Sequence, residues 1–309
     1  MNIYFHAPFA NEEHFLKLVK KKFKSHKIFT KKNEIKFDTI DVAIVWKLPD
    51  RILKKLTNLK FIFSLGAGVD HIINLPSYTN IPIIRIKDPN MRLRMFNHVL
   101  SQILTYQLKL NEYKIAQNKK KWLDERYTFL NKQLTIGILG LGYIGNFVGK
   151  KLQSLGYNVI GYKNSKTNKK VSIPVYYKNS IDKFLKSSDI VVSILPATLK
   201  THDIINLCFL NNLKKNCLLI NIGRGFSLNE ESLLKYLKKN PNFFVSLDVF
   251  KKEPLPKSHP FWTHPNVTIT PHVAAITDVD SSIEYIFTKF EKYRKKGNIK
   301  SDVNIEKGY

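Results

Sequence analysis

Three short segments in the second half of the chain carry polar side chains suited to reducing a carbonyl group. They are NIGRG at 221–225, DVFKKEPLP at 248–256 and TPHVAA at 270–275. An arginine can bind a substrate carboxylate and polarise the carbonyl, and a histidine can donate the proton that the oxygen needs. A carboxylate beside the histidine orients it and stabilises its protonated form. Arg224, Glu253 and His272 fit these three roles as a set, although each residue type alone is more often an ion-pair partner or a loop residue.

A glycine-rich loop upstream of these segments predicts a dinucleotide site. The apolar stretch TIGIL at 135–139 predicts a strand, and Gly140, Gly142 and Gly145 follow it at once. Apolar residues then recur at helical spacing over 144–155. In this context the first glycine allows a tight turn, the second lets the backbone approach a pyrophosphate, and the third lets the helix lie close to the strand. The alternative is a glycine-rich turn without a ligand, which the flanking elements make the weaker interpretation.

The end of the next strand bears on the choice of cofactor. In an NAD-selective sheet this position usually holds an acid that binds the ribose 2′-hydroxyl. Here the strand NVIGY at 158–162 continues into Lys163, Asn164, Ser165 and Lys166 without a carboxylate. Lys163, Ser165 and Lys166 suit a 2′-phosphate, which favours NADPH. NADH is the alternative, because lysines are scattered along the whole chain.

Strand and helix patterns alternate along the chain in two series, which predicts two sheets of parallel strands. The first series has predicted strands at 2–6, 41–46, 60–64 and 81–86 and a helix at 12–23. A long helical stretch at 90–120 precedes the second series, with predicted strands at 135–139, 158–162, 189–195, 217–222, 244–247 and 267–270 and a last helix at 277–296. Ligands of such sheets bind outside the carboxyl ends of the strands, where the polar segments lie. The expected fold class is α/β, with two doubly wound parallel-sheet domains.

The motifs together resemble the D-isomer-specific 2-hydroxyacid dehydrogenase family, and within it the glyoxylate/hydroxypyruvate reductases of the A type. The likeness covers essentially the whole chain and is carried by AIVWKLP, FSLGAGVDHI, the stretch from DVFKKEPLP to HPNVTITPHVAAIT, and the ending KGY. It implies an enzyme that reduces a small 2-oxo acid with NAD(P)H, either glyoxylate to glycolate or hydroxypyruvate to D-glycerate. Arg224, Glu253 and His272 match the catalytic residues of the family. The chain departs from the commoner NAD-dependent members because it has no acid at the end of the strand at 158–162.

The resemblance also implies how the chain is divided. A Rossmann cofactor domain at 96–274 is expected to be inserted in a flavodoxin-like substrate domain formed by 1–95 and 275–309. The backbone amides of Ala67, Gly68 and Val69 would bind the substrate carboxylate, as would Arg224, and Trp46 would line the pocket or belong to the core. Further residues expected in the cofactor site are Tyr143, Ile144, Pro196, Ile222 and Asp248. A homodimer is expected, with the helical region at 90–120 contributing to the contact.

The composition argues against several other classes of protein. Hydrophobic residues make up 43% and charged residues 24% of the chain, which is a globular balance. We find neither a signal peptide nor an apolar run of the roughly 18 residues that a membrane span needs. Cys208 and Cys217 match no zinc or redox spacing, so we expect no metal and two buried thiols in a reducing compartment, the cytoplasm.

The net charge of +27 raises the alternative of a nucleic-acid-binding protein. The lysines are spread along the chain at solvent-facing positions rather than gathered in one basic stripe, so we expect no specific nucleic-acid partner. A second alternative is a catalytically silent protein that senses a dinucleotide with the same fold. Such a sensor needs no proton donor, and the complete set of Arg224, Glu253 and His272 favours the enzyme.

Overall fold

The chain folds into two compact units, which are described here from a computed structural model. The structure describes residues 1–8, 11–31, 33–164, 172–297, 300–305 and 308. The first unit comprises Met1–Met91 and Thr277–Tyr309, and the second comprises Arg92–Ile276. Ser165 and Lys166, which the sequence predicts in the cofactor site, lie outside the described residues.

Short strands alternate with helices in both units. The strands are β1 (Asn2–His6), β2 (Lys27–Phe29), β3 (Val42–Val45), β4 (Phe61–Ser64), β5 (Ile83–Arg85), β6 (Thr135–Leu139), β7 (Asn158–Lys163), β8 (Val175–Tyr177), β9 (Ile190–Ser193), β10 (Leu218–Asn221), β11 (Phe244–Leu247) and β12 (Val267–Ile269). The α-helices are α1 (Glu12–Lys22), α2 (Asp50–Leu53), α3 (Asp70–Ile73), α4 (Pro89–Gln107), α5 (Leu110–Asn118), α6 (Tyr143–Ser154), α7 (Ile181–Ser187), α8 (Leu207–Asn211), α9 (Glu230–Lys239) and α10 (Val279–Lys296).

The first unit contains a parallel sheet in the order β2-β1-β3-β4-β5. This is the flavodoxin-like strand order. Every residue of β3 and β4 is buried, as expected for central strands of a parallel sheet. Helices α1 and α10 pack together, and the rings of Phe23 and Phe290 lie 5.0 Å apart between their centroids.

The second unit contains a parallel sheet in the order β12-β11-β10-β9-β6-β7-β8. Read from β8, this is the Rossmann order extended by one further strand, β12. The strand order reverses between β6 and β9, and this switch point is where such sheets bind their ligands. The two strand orders confirm the predicted fold class of two doubly wound α/β sheets.

Two details of the structure differ from the expectations. The helical stretch predicted at 90–120 is broken, because Lys109 adopts a left-handed backbone conformation (φ 58°) between α4 and α5. The prediction of a buried Cys208 is wrong, since this residue is exposed on the short helix α8. Cys217 is buried as expected, and its burial raises the pKa of the thiol.

Among the helices of the described residues, none combines the length and apolar character that crossing a membrane requires.

Candidate active site

The predicted site residues of the second unit lie along the carboxyl edge of its sheet. Gly140 follows β6, Lys163 ends β7, Pro196 follows β9, Ile222 and Arg224 follow β10, Asp248 follows β11, and His272 follows β12. Because all these strands are parallel, residues far apart in the sequence end at the same edge.

The glycine-rich loop has the geometry of a phosphate cradle. Gly140 adopts φ +105°, which side chains rarely tolerate. A Cβ atom on Gly145 would lie 2.1 Å from the carbonyl oxygen of Gly140. The close approach of α6 to the end of β6 therefore requires a residue without a side chain at position 145. A Cβ atom on Gly142 would meet no atom of the described residues within 4 Å apart from its chain neighbours. Gly142 is the N-cap residue of α6 and offers no side chain to its first N–H groups, so the loop fits a pyrophosphate at the helix N-terminus.

His272 and Glu253 form a hydrogen-bonded pair. The Nδ1 atom of His272 lies 2.8 Å from Oε2 of Glu253. The other carboxylate oxygen, Oε1, accepts a hydrogen bond of 3.1 Å from the backbone N–H of Phe250, which fixes the carboxylate. The side chains of His272 and Glu253 are 36% and 25% exposed, so a small molecule can reach them. Since Nδ1 is bound to Glu253, Nε2 is the ring nitrogen suited to exchanging a proton with a substrate.

Asp248 holds the loop that carries His272. Its carboxylate is 1% exposed and accepts hydrogen bonds from the backbone N–H groups of Val273 (2.9 Å) and Ala274 (3.0 Å). The hydroxyl of Thr270 donates to the same carboxylate at 2.6 Å, and the N–H of His272 donates to the carbonyl oxygen of Asp248 at 2.8 Å. These bonds stabilise the left-handed conformation of His272 (φ 56°), which costs a residue with a side chain about 1–2 kcal/mol. Thr270 belongs to the TPHVAA motif, but its contribution was not predicted.

Arg224 is positioned by its own loop. Its backbone carbonyl accepts hydrogen bonds from the Asn221 side chain (3.3 Å) and the Ser227 hydroxyl (2.8 Å). One guanidinium nitrogen donates to the carbonyl oxygen of Gly223 at 3.0 Å. The side chain is half-buried, so the cation is partly shielded from water at the sheet edge.

His98 is another histidine that interacts with Asp248, and the sequence did not indicate it as a site residue. It lies on α4, and burial lowers its pKa while the negative charge of Asp248 opposes that shift. Its Nε2 atom is buried and has no hydrogen-bond partner among the described residues. A histidine set among apolar residues of a long helix gives no signal of its own, so only the structure associates it with Asp248.

The first unit contains the segment predicted to bind a carboxylate. Among the described residues, the backbone N–H groups of Ala67, Gly68 and Val69 find no acceptor. The Ser64 hydroxyl donates to the carbonyl oxygens of Gly66 (3.1 Å) and Gly68 (3.4 Å), which holds the loop that presents these N–H groups. Consecutive unpaired N–H groups in a loop can bind an anion.

Trp46 packs against this loop. A Cβ atom on Gly66 would lie 2.1 Å from a carbon of its indole ring, and the ring centroid lies 4.3 Å from that of His71. The tryptophan is half-buried, so it supports the loop with one part of its ring and leaves another part accessible.

The chain matches known proteins in both sequence and fold. Residues 100–274 match the family model described as the NAD binding domain of D-isomer specific 2-hydroxyacid dehydrogenases. Glyoxylate/hydroxypyruvate reductase A from Photorhabdus laumondii subsp. laumondii is 36% identical to this chain over 279 residues, which cover 87% of this chain and 88% of the relative.

Solved structures match over the full length. The structure of an NADPH-dependent glyoxylate/hydroxypyruvate reductase from Sinorhizobium meliloti in complex with NADP and sulfate has a TM-score of 0.93 and 30% identity, and the match covers 100% of this chain and 99% of that one. A probable 2-hydroxyacid dehydrogenase from Rhizobium etli, in complex with NADP, HEPES and L(+)-tartaric acid, has a TM-score of 0.90, 27% identity and the same coverage. These matches confirm the resemblance drawn from the motifs, and the chain belongs to the D-isomer-specific 2-hydroxyacid dehydrogenase family.

Proposed function

We propose that this protein reduces glyoxylate to glycolate and hydroxypyruvate to D-glycerate, with NADPH as the hydride donor. The observation that carries the proposal is the pair of His272 and Glu253, 2.8 Å apart, on the sheet edge that also carries the glycine-rich loop. The choice of substrates is supported by the names of the relatives from Photorhabdus laumondii and Sinorhizobium meliloti. NADPH is supported by the NADP in two of the matching structures and by the absence of a carboxylate at Lys163 and Asn164.

The side chains of the second unit have separate tasks in this reaction. NADPH, when bound, would supply a hydride to the carbonyl carbon of the substrate. The positive charge of Arg224 binds the substrate and draws electron density toward the carbonyl oxygen of the substrate. Nε2 of His272 donates a proton to that oxygen. Glu253 accepts the hydrogen bond from Nδ1 and stabilises the positive charge of the imidazolium before the proton leaves.

We propose that the second unit, whose extent is close to the expected domain at 96–274, binds the cofactor, and that the first unit, close to the expected domain formed by 1–95 and 275–309, has a substrate-binding role. In the cofactor domain, the proposed contacts are Gly140, Gly142, Tyr143, Ile144, Gly145, Lys163, Pro196, Ile222 and Asp248. In the substrate domain, the N–H groups of Ala67, Gly68 and Val69 are proposed to bind a carboxylate, because the protein offers them no acceptor among the described residues. Trp46 is proposed to line the pocket beside them.

The test is the oxidation of NADPH by purified protein, followed through the absorbance of the reduced nicotinamide. Glyoxylate and hydroxypyruvate are expected to drive oxidation, and His272→Ala is expected to lower kcat by about 100-fold or more while NADPH still binds. His14→Ala is the matched control, because His14 also faces a carboxylate, Asp280, at 3.8 Å but lies on α1 in the first unit. A wild-type protein that binds NADPH yet reduces neither acid would contradict the proposed substrates, and near-normal kcat in His272→Ala would remove the histidine from the mechanism.

We further propose that the enzyme is a homodimer and that the region at 90–120 contributes to its contact. The support is a group of exposed apolar side chains in α5 and on its two flanks: Leu108 (40% exposed), Leu110 (47%), Ile115 (49%) and Trp122 (95%). Apolar side chains concentrated on one segment are typical of protein interfaces. A cytoplasmic location is proposed as well, because an exposed free thiol at Cys208 suits a reducing compartment.

Light scattering tests the oligomeric state. The wild type is expected at twice the mass of one chain, and the double variant Leu110→Asp with Ile115→Asp at the mass of one chain. Leu199→Asp is the control, because Leu199 is 93% exposed but lies outside the proposed contact. A wild type with the mass of a single chain at assay concentration excludes the homodimer.

A further inference from the structure

The side chain of Arg92 packs on two aromatic rings at the start of α6. Its guanidinium carbon is 4.4 Å from the ring centroid of Phe147 and 5.2 Å from that of Tyr143. Tyr143 is the first residue of α6 and Phe147 follows one turn later on the same face. The two rings therefore hold the Arg92 cation beside the N-terminal end of the helix that follows the glycine-rich loop.

Arg92 has no anionic partner in the part of the chain that the structure describes. Among the described residues, no carboxylate pairs with its guanidinium, and its Nε atom is buried without a hydrogen-bond partner. Two other cations of the chain do have such partners: the half-buried Lys87 pairs with Asp302 at 2.9 Å, and the exposed Lys251 pairs with Asp203 at 2.6 Å. A buried donor without an acceptor is unfavourable, so this arrangement suits an anion that arrives from outside the chain.

The neighbouring loop indicates the kind of anion. Gly142 has open space where a side chain would stand, and the first N–H groups of α6 lack an acceptor from a capping side chain. In this loop type the helix N-terminus takes the pyrophosphate of a dinucleotide. Arginine prefers phosphate oxygens because its planar guanidinium can donate two parallel hydrogen bonds.

We propose that Arg92 is a ligand of the cofactor pyrophosphate. The inference rests on the proposed function, since it requires that the protein bind a nicotinamide dinucleotide. Arg92 is proposed to bind the phosphates that NADPH and NADH share. Lys163, at the end of β7, is proposed to bind the 2′-phosphate that only NADPH carries. Arg92 accordingly adds affinity for both cofactors and does not choose between them.

The test is direct binding, measured as the Kd of NADPH and of NADH by the change in nicotinamide fluorescence, without substrate. Arg92→Met keeps an apolar stem against the rings and is expected to weaken binding of both cofactors about tenfold, the loss of about one hydrogen bond to a charged group. Arg92→Lys keeps the charge without the planar fork and is expected to fall between the wild type and Arg92→Met. Lys151→Met is the matched control, because Lys151 lies 6.0 Å from the same Phe147 ring but further along α6, and it is expected to leave both Kd values unchanged.

The possible failures are separable. A wild type that binds neither cofactor contradicts the proposed function itself. A wild type that binds both, with unchanged Kd values in Arg92→Met, overturns only the role of Arg92. Loss of NADPH affinity alone would assign Arg92 to the 2′-phosphate and also overturn the proposal. Thermal unfolding checks that each variant is folded, and Arg92→Gln takes the place of Arg92→Met if the latter does not fold.

Discussion

At the residue scale, the proposed chemistry depends on a histidine whose backbone the protein holds in an uncommon conformation. Three backbone N–H groups and one hydroxyl donate to the carbonyl oxygen or carboxylate of Asp248, and together they fix the turn at His272. Glu253 then fixes the ring through Nδ1. The position of the imidazole is thus determined twice, through its backbone and through its side chain.

Glu253→Gln tests the electrostatic part of this arrangement. Glutamine can still accept the hydrogen bond from Nδ1 but carries no negative charge to stabilise the imidazolium. We expect kcat to fall about tenfold or more while the Kd of NADPH stays unchanged. Glu230→Gln is the matched control, because Glu230 also faces a histidine, His259, at 3.5 Å and has no assigned role in the reaction. Equal losses of kcat in the two variants would mean that the negative charge of Glu253 supports the folded structure but does not stabilise the imidazolium of His272.

Lys163→Asp tests the choice of cofactor. Aspartate at the end of β7 can bind the ribose 2′-hydroxyls of NADH, and its charge repels a 2′-phosphate. We expect kcat/KM to be higher with NADPH than with NADH in the wild type, and this ratio to fall about tenfold or more in the variant, since each 1.4 kcal/mol changes it tenfold. Lys186→Asp makes the same charge change at the end of α7 and is expected to keep the wild-type ratio. Equal or better use of NADH by the wild type would contradict the assignment.

Residue types and their spacing predicted a candidate set of reacting groups, but they gave no signal for the helical side chains near it. Arg224, Glu253 and His272 stand in recognisable motifs directly after strands, so their meeting at one sheet edge follows from parallel topology. Their individual roles stay predictions until the variants are measured. His98 and Arg92 have no motif, because a side chain on a helix reaches a site through packing that spacing does not reveal.

At the element scale, the loop between β6 and α6 combines two different requirements for glycine. At Gly145 the backbone of Gly140 occupies the space of a side chain, and at Gly142 that space is open. The first requirement belongs to the packing of α6 against the sheet, and the second to the approach of a ligand.

Alanine substitutions should separate these two requirements. Gly145→Ala is expected to lower the free energy of unfolding by about 1–3 kcal/mol, as overpacking does, because its Cβ would lie 2.1 Å from the carbonyl oxygen of Gly140. The Cβ atom of Gly142→Ala would meet no atom of the described residues within 4 Å apart from its chain neighbours, so we expect near wild-type stability but weaker binding of both NADPH and NADH. Chemical denaturation and cofactor titration of the two variants measure this. Equal cofactor affinity of Gly142→Ala and wild type would show that phosphates do not approach this glycine.

Two strands that the sequence did not predict lie at sheet edges. β2 and β8 have three residues each, none of them buried, so each is too short to show a repeating pattern of apolar residues. The break between α4 and α5 falls at Lys109, whose left-handed backbone no glycine or proline marks. The central strands were predicted because burial on both faces makes them continuously apolar.

At the scale of the whole molecule, the excess of cations opposes the compact state. The chain has 51 lysines and arginines against 24 aspartates and glutamates. Folding brings these like charges closer together, and salt screens their repulsion over distances beyond a Debye length of about 10 Å at 0.1 M.

We therefore expect the Tm to rise when NaCl is raised from low to physiological ionic strength. Replacing Lys20, Lys21 and Lys24, in and just after α1, by glutamine is expected to raise the Tm at low salt and to reduce its dependence on salt. Sucrose at matched osmolality is the control, since it carries no charge. A Tm that is flat or falls with NaCl would mean that local ion pairs outweigh the net charge.

One feature of the first unit determines the order in which the two units are completed during synthesis. Its whole sheet is encoded before residue 92, but α10, which packs on α1, is encoded at 279–296. Phe23 and Phe61 contact Phe290 and Tyr293 of that helix, with ring centroids 5.0 Å and 4.5 Å apart. During synthesis this aromatic face stays uncovered until α10 emerges, after the whole continuous stretch Arg92–Ile276. The unit that starts first is thus completed last, and a nascent chain exposes to chaperones an aromatic surface that the released protein has buried.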